Sequence, residues 1–241
     1  MEKNIFEKNF VLRTSDFTCY DKLKPSMILD FFQDVAGQHA DILGIGFNDL
    51  IQKDLIWVLL RTKYEVIKEP KPYTEVKVKT WPHEKGRLDF DRDYLITDQD
   101  DNVLIKGTSK WVVVNYKTRR LSLNQNINYD FIPLKDKNYE EPFNKLEDFT
   151  LDEASPFFEY QTLFTDLDHN GHVNNIKFAD FILNGISLQK DENIVKFEID
   201  YLKELKQGSI IKNYFLRKDN IIYVKGVSDN INIYLAKITL N

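Results

Sequence analysis

The chain has 241 residues, of which 42% are hydrophobic, and its formal net charge is −5. With 17 Phe and 12 Tyr it has enough apolar surface for a substantial core, which argues against global disorder. Acidic and basic residues are mixed along the sequence, which argues against nucleic-acid binding, because that function usually requires a basic stripe.

Three features bear on the compartment. The longest apolar run, at 55–60, is far shorter than the roughly 20 residues that span a bilayer, so no membrane span is predicted. The first ten residues, MEKNIFEKNF, place charges where a signal peptide has its apolar stretch. The lone Cys19 cannot form an internal disulfide and fits a reducing compartment, where we expect it to be a small core residue. We therefore expect a cytoplasmic protein.

The first half of the sequence predicts a strand, a helix and four more strands. A strand candidate at 10–14 precedes Pro25, a residue that suits the first turn of a helix. Apolar residues then recur at helical spacing, so we expect a helix over 26–44. Alternation of valines with charged residues, as in EVKVKTW, indicates strands with one buried face. The strands expected after the helix are 55–67, 75–81, 88–97 and 103–115.

The pattern lapses between residues 117 and 155 and then restarts. This stretch is much longer than a typical connection of about 4–6 residues, and we interpret it as a linker that crosses from one unit to the next. The same order of elements then occurs a second time, which indicates an internal duplication. The expected elements are a strand at 157–164, a helix at 173–188 and strands at 195–205, 209–216, 221–227 and 231–240.

A long helix followed by an antiparallel sheet favours a sheet that wraps around the helix and buries one of its faces. The predicted fold class is therefore α+β, with two tandem hotdog units that each consist of a long helix wrapped by an antiparallel sheet. The expected division is an N-terminal hotdog at 1–116, a linker at 117–155 and a C-terminal hotdog at 156–241.

The stretch TDLDHNGHVNN, at 165–175, concentrates acids, amides and histidines around one glycine. Its first half is similar to a calcium loop, but Lys177 stands where such a loop needs a bidentate Glu. His169 and His172 have a spacing that could serve zinc, but no Cys is near and no third ligand is evident. We therefore expect no metal at this stretch.

A simpler interpretation is a turn that caps the helix at Val173, since Asp and Asn favour caps and turns. Capping needs only one side-chain acceptor, however. The surplus of polar side chains favours a chemical role for the stretch. These side chains are Asp168, Asn170, His172, Asn174 and Asn175.

The segment DLDHNGHVNN, at 166–175, resembles the catalytic segment of the acyl-ACP (acyl carrier protein) thioesterases, whose pattern is D-L-D-x-N-x-H-V-N-N-x-x-Y-x-x-W. Phe178 and Phe181 stand where that pattern has Tyr and Trp. Other stretches look like first-half landmarks of the family in the right order, so the resemblance covers nearly the whole chain. These are LIWVLLR at 55–61, TW at 80–81, RDY at 92–94 and NYKTRRL at 115–121.

The resemblance implies a double hotdog that releases free fatty acid from acyl-acyl carrier protein without a metal or an organic cofactor. Asp168, Asn170 and His172 match the family's catalytic trio. Glu204 matches a further catalytic acid on the strand after the helix, and Leu205 falls where many relatives have Cys. That departure argues against a cysteine nucleophile and favours attack by water, with Glu204 or Asp168 as the acid–base residue.

Two parts of the substrate site follow from this interpretation. The backbone N–H groups of Val173 and Asn174, at the expected helix start, would receive the negative charge of an oxyanion. The N-terminal half would bind the acyl chain in a channel lined by residues of its helix. These residues are Met27, Ile28, Phe31, Phe32 and Val35.

The expected partner is an acidic acyl carrier protein that docks on a local basic patch, and a homodimer is one option for assembly. The resemblance also implies a role in fatty acid biosynthesis and a bacterial-type chain without a transit peptide. An acyl-CoA thioesterase, or a non-catalytic protein that binds acyl or acyl-CoA groups, remains an alternative. Candidates for the basic patch are Arg119, Arg120, Lys203 and Lys206.

Overall fold

The structure, a computed structural model, describes residues 4–123, 127, 134, 136–151 and 155–241. The first half contains β1 (Phe6–Val11), α1 (Pro25–Ile42), α2 (Phe47–Ile51), β2 (Leu55–Val66), β3 (Glu75–Pro82), β4 (Asp89–Thr97) and β5 (Val103–Asn115). The second half contains β6 (Phe157–Gln161), α3 (Asn175–Ile186), β7 (Ile194–Tyr201), β8 (Ile210–Lys218), β9 (Ile221–Ser228) and β10 (Ile231–Leu240).

All ten strands form one antiparallel sheet in the order β1-β3-β4-β5-β2-β7-β10-β9-β8-β6. The order is symmetric about the β2–β7 pair, because each half contributes five strands that mirror those of the other half. Strand, helix and four strands therefore occur twice, as predicted, with the short α2 as an addition to the first half. The fold is the predicted double hotdog.

Helices α1 and α3 lie side by side and contact each other inside the curved sheet. Each has an apolar face that the sheet buries, and the buried residues of both helices belong to one continuous core. Phe32 of α1, for example, stacks on Tyr94 of β4 with ring centroids 4.3 Å apart. Pro25 occupies the first turn of α1, where its missing N–H costs no hydrogen bond.

Several element boundaries differ from the prediction, and local hydrogen bonds explain them. The first strand runs over Phe6–Val11 and not over 10–14. Strand β6 ends at Gln161, because Phe164–Asp166 form a single 3₁₀ turn. Helix α3 begins at Asn175, two residues later than expected, because Val173 forms an isolated β-bridge with Leu167.

The prediction that Cys19 is a core residue is wrong, since its side chain is exposed. It lies in the turn before α1, between the one-turn 3₁₀ segment Thr14–Asp16 and the helix. A turn of this kind closes through its own backbone bonds, such as the 2.8 Å bond from the N–H of Thr18 to the carbonyl of Lys22. Its tip therefore has no core to pack against.

The described part of the predicted linker crosses the outer face of the sheet strand by strand. Asn138 donates side-chain hydrogen bonds to backbone carbonyls of β4 and β5, at 2.8 and 2.9 Å. Phe143 accepts one from Arg61 of β2, at 3.2 Å, and the N–H of Leu146 donates to Asp200 of β7, at 2.8 Å. Phe149 reaches Lys225 of β9. The remaining linker residues, 124–126, 128–133, 135 and 152–154, lie outside the described residues.

Within the part of the chain that the structure describes, no helix combines the length and the apolar character that a membrane crossing requires.

Candidate active site

The polar stretch predicted to be catalytic forms a tight turn that closes on Asp168. One carboxylate oxygen of Asp168, Oδ1, accepts the backbone N–H groups of Asn170 at 2.8 Å and His172 at 3.2 Å. The N–H of Asp168 donates in return to the carbonyl of His172, at 2.7 Å. Gly171 takes the left-handed conformation that this turn requires, with φ of 76°. The sequence thus uses Asp168 to fix the direction in which Asn170 and His172 point.

The start of helix α3 corrects the prediction of an oxyanion site. The N–H of Val173 donates to the carbonyl of Leu205 and that of Asn174 to the carbonyl of Asp166, both at 2.8 Å. Neither group is open to a substrate oxygen in this structure, because each already donates to a backbone carbonyl.

The N–H of Asn175, the next residue, is the backbone donor that stays open at the start of α3. Asn174 is the N-cap, and its side-chain oxygen accepts the N–H of Ile176 at 3.3 Å. The N–H of Asn175 is one of the helix-start donors that have no intrahelical acceptor, and it has no partner among the described residues. Helix α3 therefore offers a backbone donor at Asn175, at the positive end of its dipole.

Glu204 lies in the loop that follows β7, and not on a strand as expected. The ladder ends at Tyr201, because the N–H groups of Leu202 and Lys203 both turn to the carbonyl of Ile233, at 2.8 and 3.1 Å. The side chain of Glu204 is 44% exposed. Its position is nevertheless defined, since two groups hold its carboxylate.

Arg119 and His172 are the groups that hold Glu204. Arg119 pairs with it through both guanidinium nitrogens, with Nη2 at 2.8 Å from Oε2 and Nη1 at 3.4 Å from Oε1. The Nε2 atom of His172 lies 3.6 Å from Oε2. The second half thus supplies the imidazole and the carboxylate, and the first half supplies the cation.

A small cavity of about 10 Å³, room for about one water molecule, lies beside the start of α3 between the two halves. Asn175 and Ile176 line it from α3, whereas Asp168, Asn170, His172 and Glu204 are not among its lining residues. Burial raises the pKa values of Tyr94 and Tyr201 in its wall, which keeps both phenols protonated. The remaining lining residues are Leu29, Phe32, Gln33, Leu59, Thr62, Ser109 and Trp111.

Of the helix residues predicted to line an acyl channel, Phe32 lines this cavity. The other four do not: Met27 is partly buried, and Ile28, Phe31 and Val35 are fully buried in the core. The apolar face of α1 is wider than the cavity. Only positions one helical turn apart, such as Leu29 and Phe32, reach the side where the halves meet.

The first half contains a copy of the polar turn that lacks the acid, the amide and the imidazole of the second half. Backbone bonds match position by position, for example Lys24 N–H to Asp16 in the first half, at 3.0 Å, and Asn174 N–H to Asp166 in the second. This match places Thr18, Tyr20 and Lys22 where the second half has Asp168, Asn170 and His172.

Glu69 occupies the first-half position that corresponds to Glu204. In the first half the two residues before Glu69 both donate their N–H groups to the carbonyl of Leu104. In the second half the two residues before Glu204 both donate to the carbonyl of Ile233. The side chain of Glu69 accepts the N–H of Leu23 at 2.8 Å, so it caps the backbone, and burial raises its pKa. The first half thus keeps the scaffold of the turn and lacks the groups for acid–base chemistry.

The structure brings Asp168, Asn170, His172 and Glu204 together. The sequence does not reveal Arg119 as a partner of Glu204, and it marks Asn175 only as part of a polar surplus. The arginines of the NYKTRRL segment are the signal that points to Arg119. Among the described residues no group of three or more His, Cys, Asp or Glu is arranged to hold a metal ion.

Comparisons with known proteins agree with this architecture. The family model of the acyl-ACP thioesterase N-terminal domain matches residues 3–131, and that of the acyl-ACP thioesterase C-terminal domain matches residues 150–235. A dodecanoyl-[acyl-carrier-protein] hydrolase from Cinnamomum camphora is 30% identical over 226 residues, which cover 87% of this chain and 58% of the relative. The chain spans little more than half the length of the curated relatives that it matches.

Solved structures share the fold over the full chain. An acyl-ACP thioesterase from Bacteroides thetaiotaomicron superposes with a TM-score of 0.88 at 24% identity, covering 100% of both chains. A 12:0-ACP thioesterase from Umbellularia californica superposes with a TM-score of 0.82 at 23% identity, covering 98% of this chain and 97% of the other. At these identities the likeness establishes the double hotdog fold.

The geometry of the polar turn predicts different effects for two substitutions of Asp168. Asp168→Ala removes the acceptor of two backbone N–H groups and should lower the free energy of unfolding by about 1 kcal/mol. Asp168→Asn keeps an oxygen at that place and should stay within about 0.5 kcal/mol of the parent protein. Urea unfolding followed by circular dichroism measures both, with Asn170→Ala as a control. Equal stability of Asp168→Ala and Asp168→Asn would contradict a role in holding the turn.

Proposed function

The chain belongs to the acyl-ACP thioesterase family, and from this premise we propose that it hydrolyses the thioester of acyl-acyl carrier protein to a free fatty acid and the free carrier thiol. The observation that carries the proposal is the set of groups around the polar turn. The carboxylate of Glu204 lies beside the imidazole of His172 in the polar turn. The unpaired helix-start N–H belongs to Asn175, at the end of the same turn, and Asn175 lines the cavity. Thioester hydrolysis needs a base for the attacking water, a proton donor for the leaving thiol and a donor that stabilises the oxyanion.

In the proposed reaction a water molecule attacks the thioester carbon. Glu204 accepts a proton from this water, and the new C–O bond pushes negative charge onto the carbonyl oxygen. The intermediate collapses with cleavage of the C–S bond, and the proton returns to sulfur by way of His172, 3.6 Å from Glu204. Water supplies the hydroxyl of the acid and the hydrogen of the thiol, so the reaction balances without a further reactant.

The oxyanion is assigned to the N–H of Asn175. Asn175 is one of the residues that line the cavity, and the position of its N–H at the helix start adds the favourable field of the dipole. A preorganised N–H donor of this kind is typically worth about 10²–10³ in turnover.

Two observations support direct attack by water over a cysteine nucleophile. Leu205, at the position where many relatives have Cys, is an aliphatic residue that is 5% exposed. Cys19, the only cysteine of the chain, lies in the first-half copy of the turn. A thiol nucleophile therefore has no source in the second half.

The acidic carrier is proposed to dock beside Glu204. Lys203 and Lys206 flank it in the same loop, and Arg120 follows Arg119 in the opposing turn, all with exposed side chains. Arg119 itself was a docking candidate, but it pairs with Glu204. Homodimer formation and the cytoplasmic location stay predictions.

The first prediction of this proposal concerns Glu204. Glu204→Gln keeps the size of the side chain and removes its basic site, so turnover should fall by about 10²–10⁴-fold, the usual worth of general base catalysis. The assay follows free thiol released from a series of acyl-ACP substrates. Glu159→Gln is the matched control, because Glu159 is similarly exposed at 51% and also faces a cation, Lys212.

Undiminished thiol release by folded Glu204→Gln would remove Glu204 from the base role. Saturable binding of acyl thioesters by the parent protein, with no thiol released, would favour the non-catalytic binding protein. A preference for acyl-CoA over acyl-ACP across all chain lengths would favour the acyl-CoA thioesterase.

The second prediction concerns acyl chain length. Phe32→Leu shortens a side chain that lines the cavity and should shift preference toward longer chains. Room for one more methylene should favour the longer substrate by about fourfold, since a buried CH₂ is worth about 0.8 kcal/mol. Phe31→Leu is the control, because Phe31 is equally buried but packs against Phe10. Identical chain-length profiles of both variants would place the acyl channel elsewhere.

The third prediction concerns the carrier. The double reversal Lys203→Glu, Lys206→Glu should raise KM for acyl-ACP and leave hydrolysis of an acyl N-acetylcysteamine thioester unchanged. The difference in KM should fade above roughly 0.1 M salt, where the Debye screening length falls to about 10 Å. The control is the double reversal Lys190→Glu, Lys218→Glu, in which Lys190 lies in the loop after α3 and Lys218 is the last residue of β8. Equal KM values for the two double variants would reject docking at this loop.

A further inference from the structure

The ion pair between Arg119 and Glu204 joins the two halves at the proposed site. Arg119 stands 85 positions before Glu204 and is bound to it by two hydrogen bonds, at 2.8 and 3.4 Å. We propose that Arg119 is a positioning residue, which aims the carboxylate of Glu204 toward His172 and the attacking water. This role rests on the proposed function, and it makes the active site a product of both halves.

Arg119 is held in place by a turn that is built for it. The turn begins where β5 ends, at Asn115, whose side-chain oxygen accepts the N–H groups of Lys117 and Thr118 at 3.1 and 2.9 Å. The N–H of Arg119 donates to the carbonyl of Asn115 at 2.8 Å, and Arg119 adopts a left-handed φ of 57°. A non-glycine residue in that conformation is uncommon and needs such support.

The same turn is anchored to the rest of the first half. The N–H of Tyr116 donates to the carbonyl of Asp54 at 3.0 Å, and Lys117 forms an ion pair with the carboxylate of Asp54 at 2.8 Å. Asp54 immediately precedes β2, the strand that pairs with the second half. The backbone from which the Arg119 side chain extends is therefore held in one position.

Glu204 has a fixed backbone but a side chain that needs a partner. The N–H of Lys203, before it, donates to Ile233, and the carbonyl of Leu205, after it, accepts the N–H of Val173 at 2.8 Å. The carboxylate itself is 44% exposed, and a solvated Glu side chain would sample several rotamers. A guanidinium that binds both carboxylate oxygens selects one orientation, which a single-point cation does not do.

Stability does not explain this pair, because an exposed ion pair contributes little to folding. Arg119 is 56% exposed and Glu204 44%. Removal of Arg119 should therefore leave the thermal midpoint of unfolding nearly unchanged while it lowers turnover. Loss of a purely structural contact would instead lower the thermal midpoint and leave the turnover of the folded protein unchanged.

The test uses an acyl N-acetylcysteamine thioester, so that carrier docking has no influence. Arg119→Gln should lower kcat by about 10- to 100-fold, as expected when a reacting group is misplaced, with KM close to that of the parent. Arg119→Lys, which keeps the charge without the fork, should fall between the two. Lys212→Gln is the matched control, because it removes an exposed cation and its ion pair with Glu159 without touching Arg119 or Glu204.

Combination with Glu204→Gln identifies the residue through which Arg119 acts. The double variant Arg119→Gln, Glu204→Gln should be no slower than Glu204→Gln alone, since the residue to be positioned is already inactive. Losses that multiply in the double variant would overturn the proposal. So would parent-like turnover of Arg119→Gln beside an inactive Glu204→Gln, and this outcome would leave the proposed function intact. A parent protein that releases no thiol would overturn the function and the positioning role together.

Discussion

The antiparallel pairing of β2 with β7 is the contact on which the rest of the structure depends. It joins five residue pairs, from Arg61 with Asp200 to Glu65 with Lys196, and turns two sheets into one. Tyr64 and Phe197 stack across it with ring centroids 5.4 Å apart, and both are buried. The pairing sets the two long helices side by side and forms the seam along which the cavity lies. It also brings the end of β5, beside β2, near the loop that follows β7, where Arg119 meets Glu204.

Duplication followed by divergence explains why the carboxylate, the imidazole and the helix-start N–H of the proposed site all come from the second half. Both halves keep the same closed turn before the helix, with matching backbone bonds at Asp16 and Asp166. In the second half the carbonyl of Leu205 accepts the N–H of Val173, which leaves the carboxylate of Glu204 free for His172. In the first half the side chain of Glu69 accepts the corresponding N–H of Leu23. The two halves thus differ in the acceptor of one N–H group. In the first half that acceptor is the carboxylate of Glu69, whereas in the second half it is a backbone carbonyl and the carboxylate of Glu204 is not needed for it.

The sequence predicted the repeated element order, because helical and strand periodicities are local properties of the chain. It also predicted that Asp168, Asn170 and His172 lie together, since they share one turn. It failed at the start of α3, where Val173 forms a β-bridge with Leu167, and where Leu205 and Asp166 accept the N–H groups of Val173 and Asn174 that were assigned to the oxyanion. It failed for Arg119 because the contact with Glu204 depends on sheet pairing between residues far apart in sequence. Periodicity also marked Ile28, Phe31 and Val35 as apolar without telling core from cavity wall.

The central claim is that the acyl thioester lies in the seam between the halves, with its carbonyl at the start of α3. A crystal structure with an acyl-pantetheine analogue, in which an amide replaces the thioester, tests this location. We expect the amide oxygen to accept a hydrogen bond from the N–H of Asn175 and the alkyl chain to lie beside Phe32. A second, open groove on the outer face, beside Phe149 and Lys225, offers the alternative location. An alkyl chain in that groove, with the amide remote from His172 and Glu204, would contradict the account.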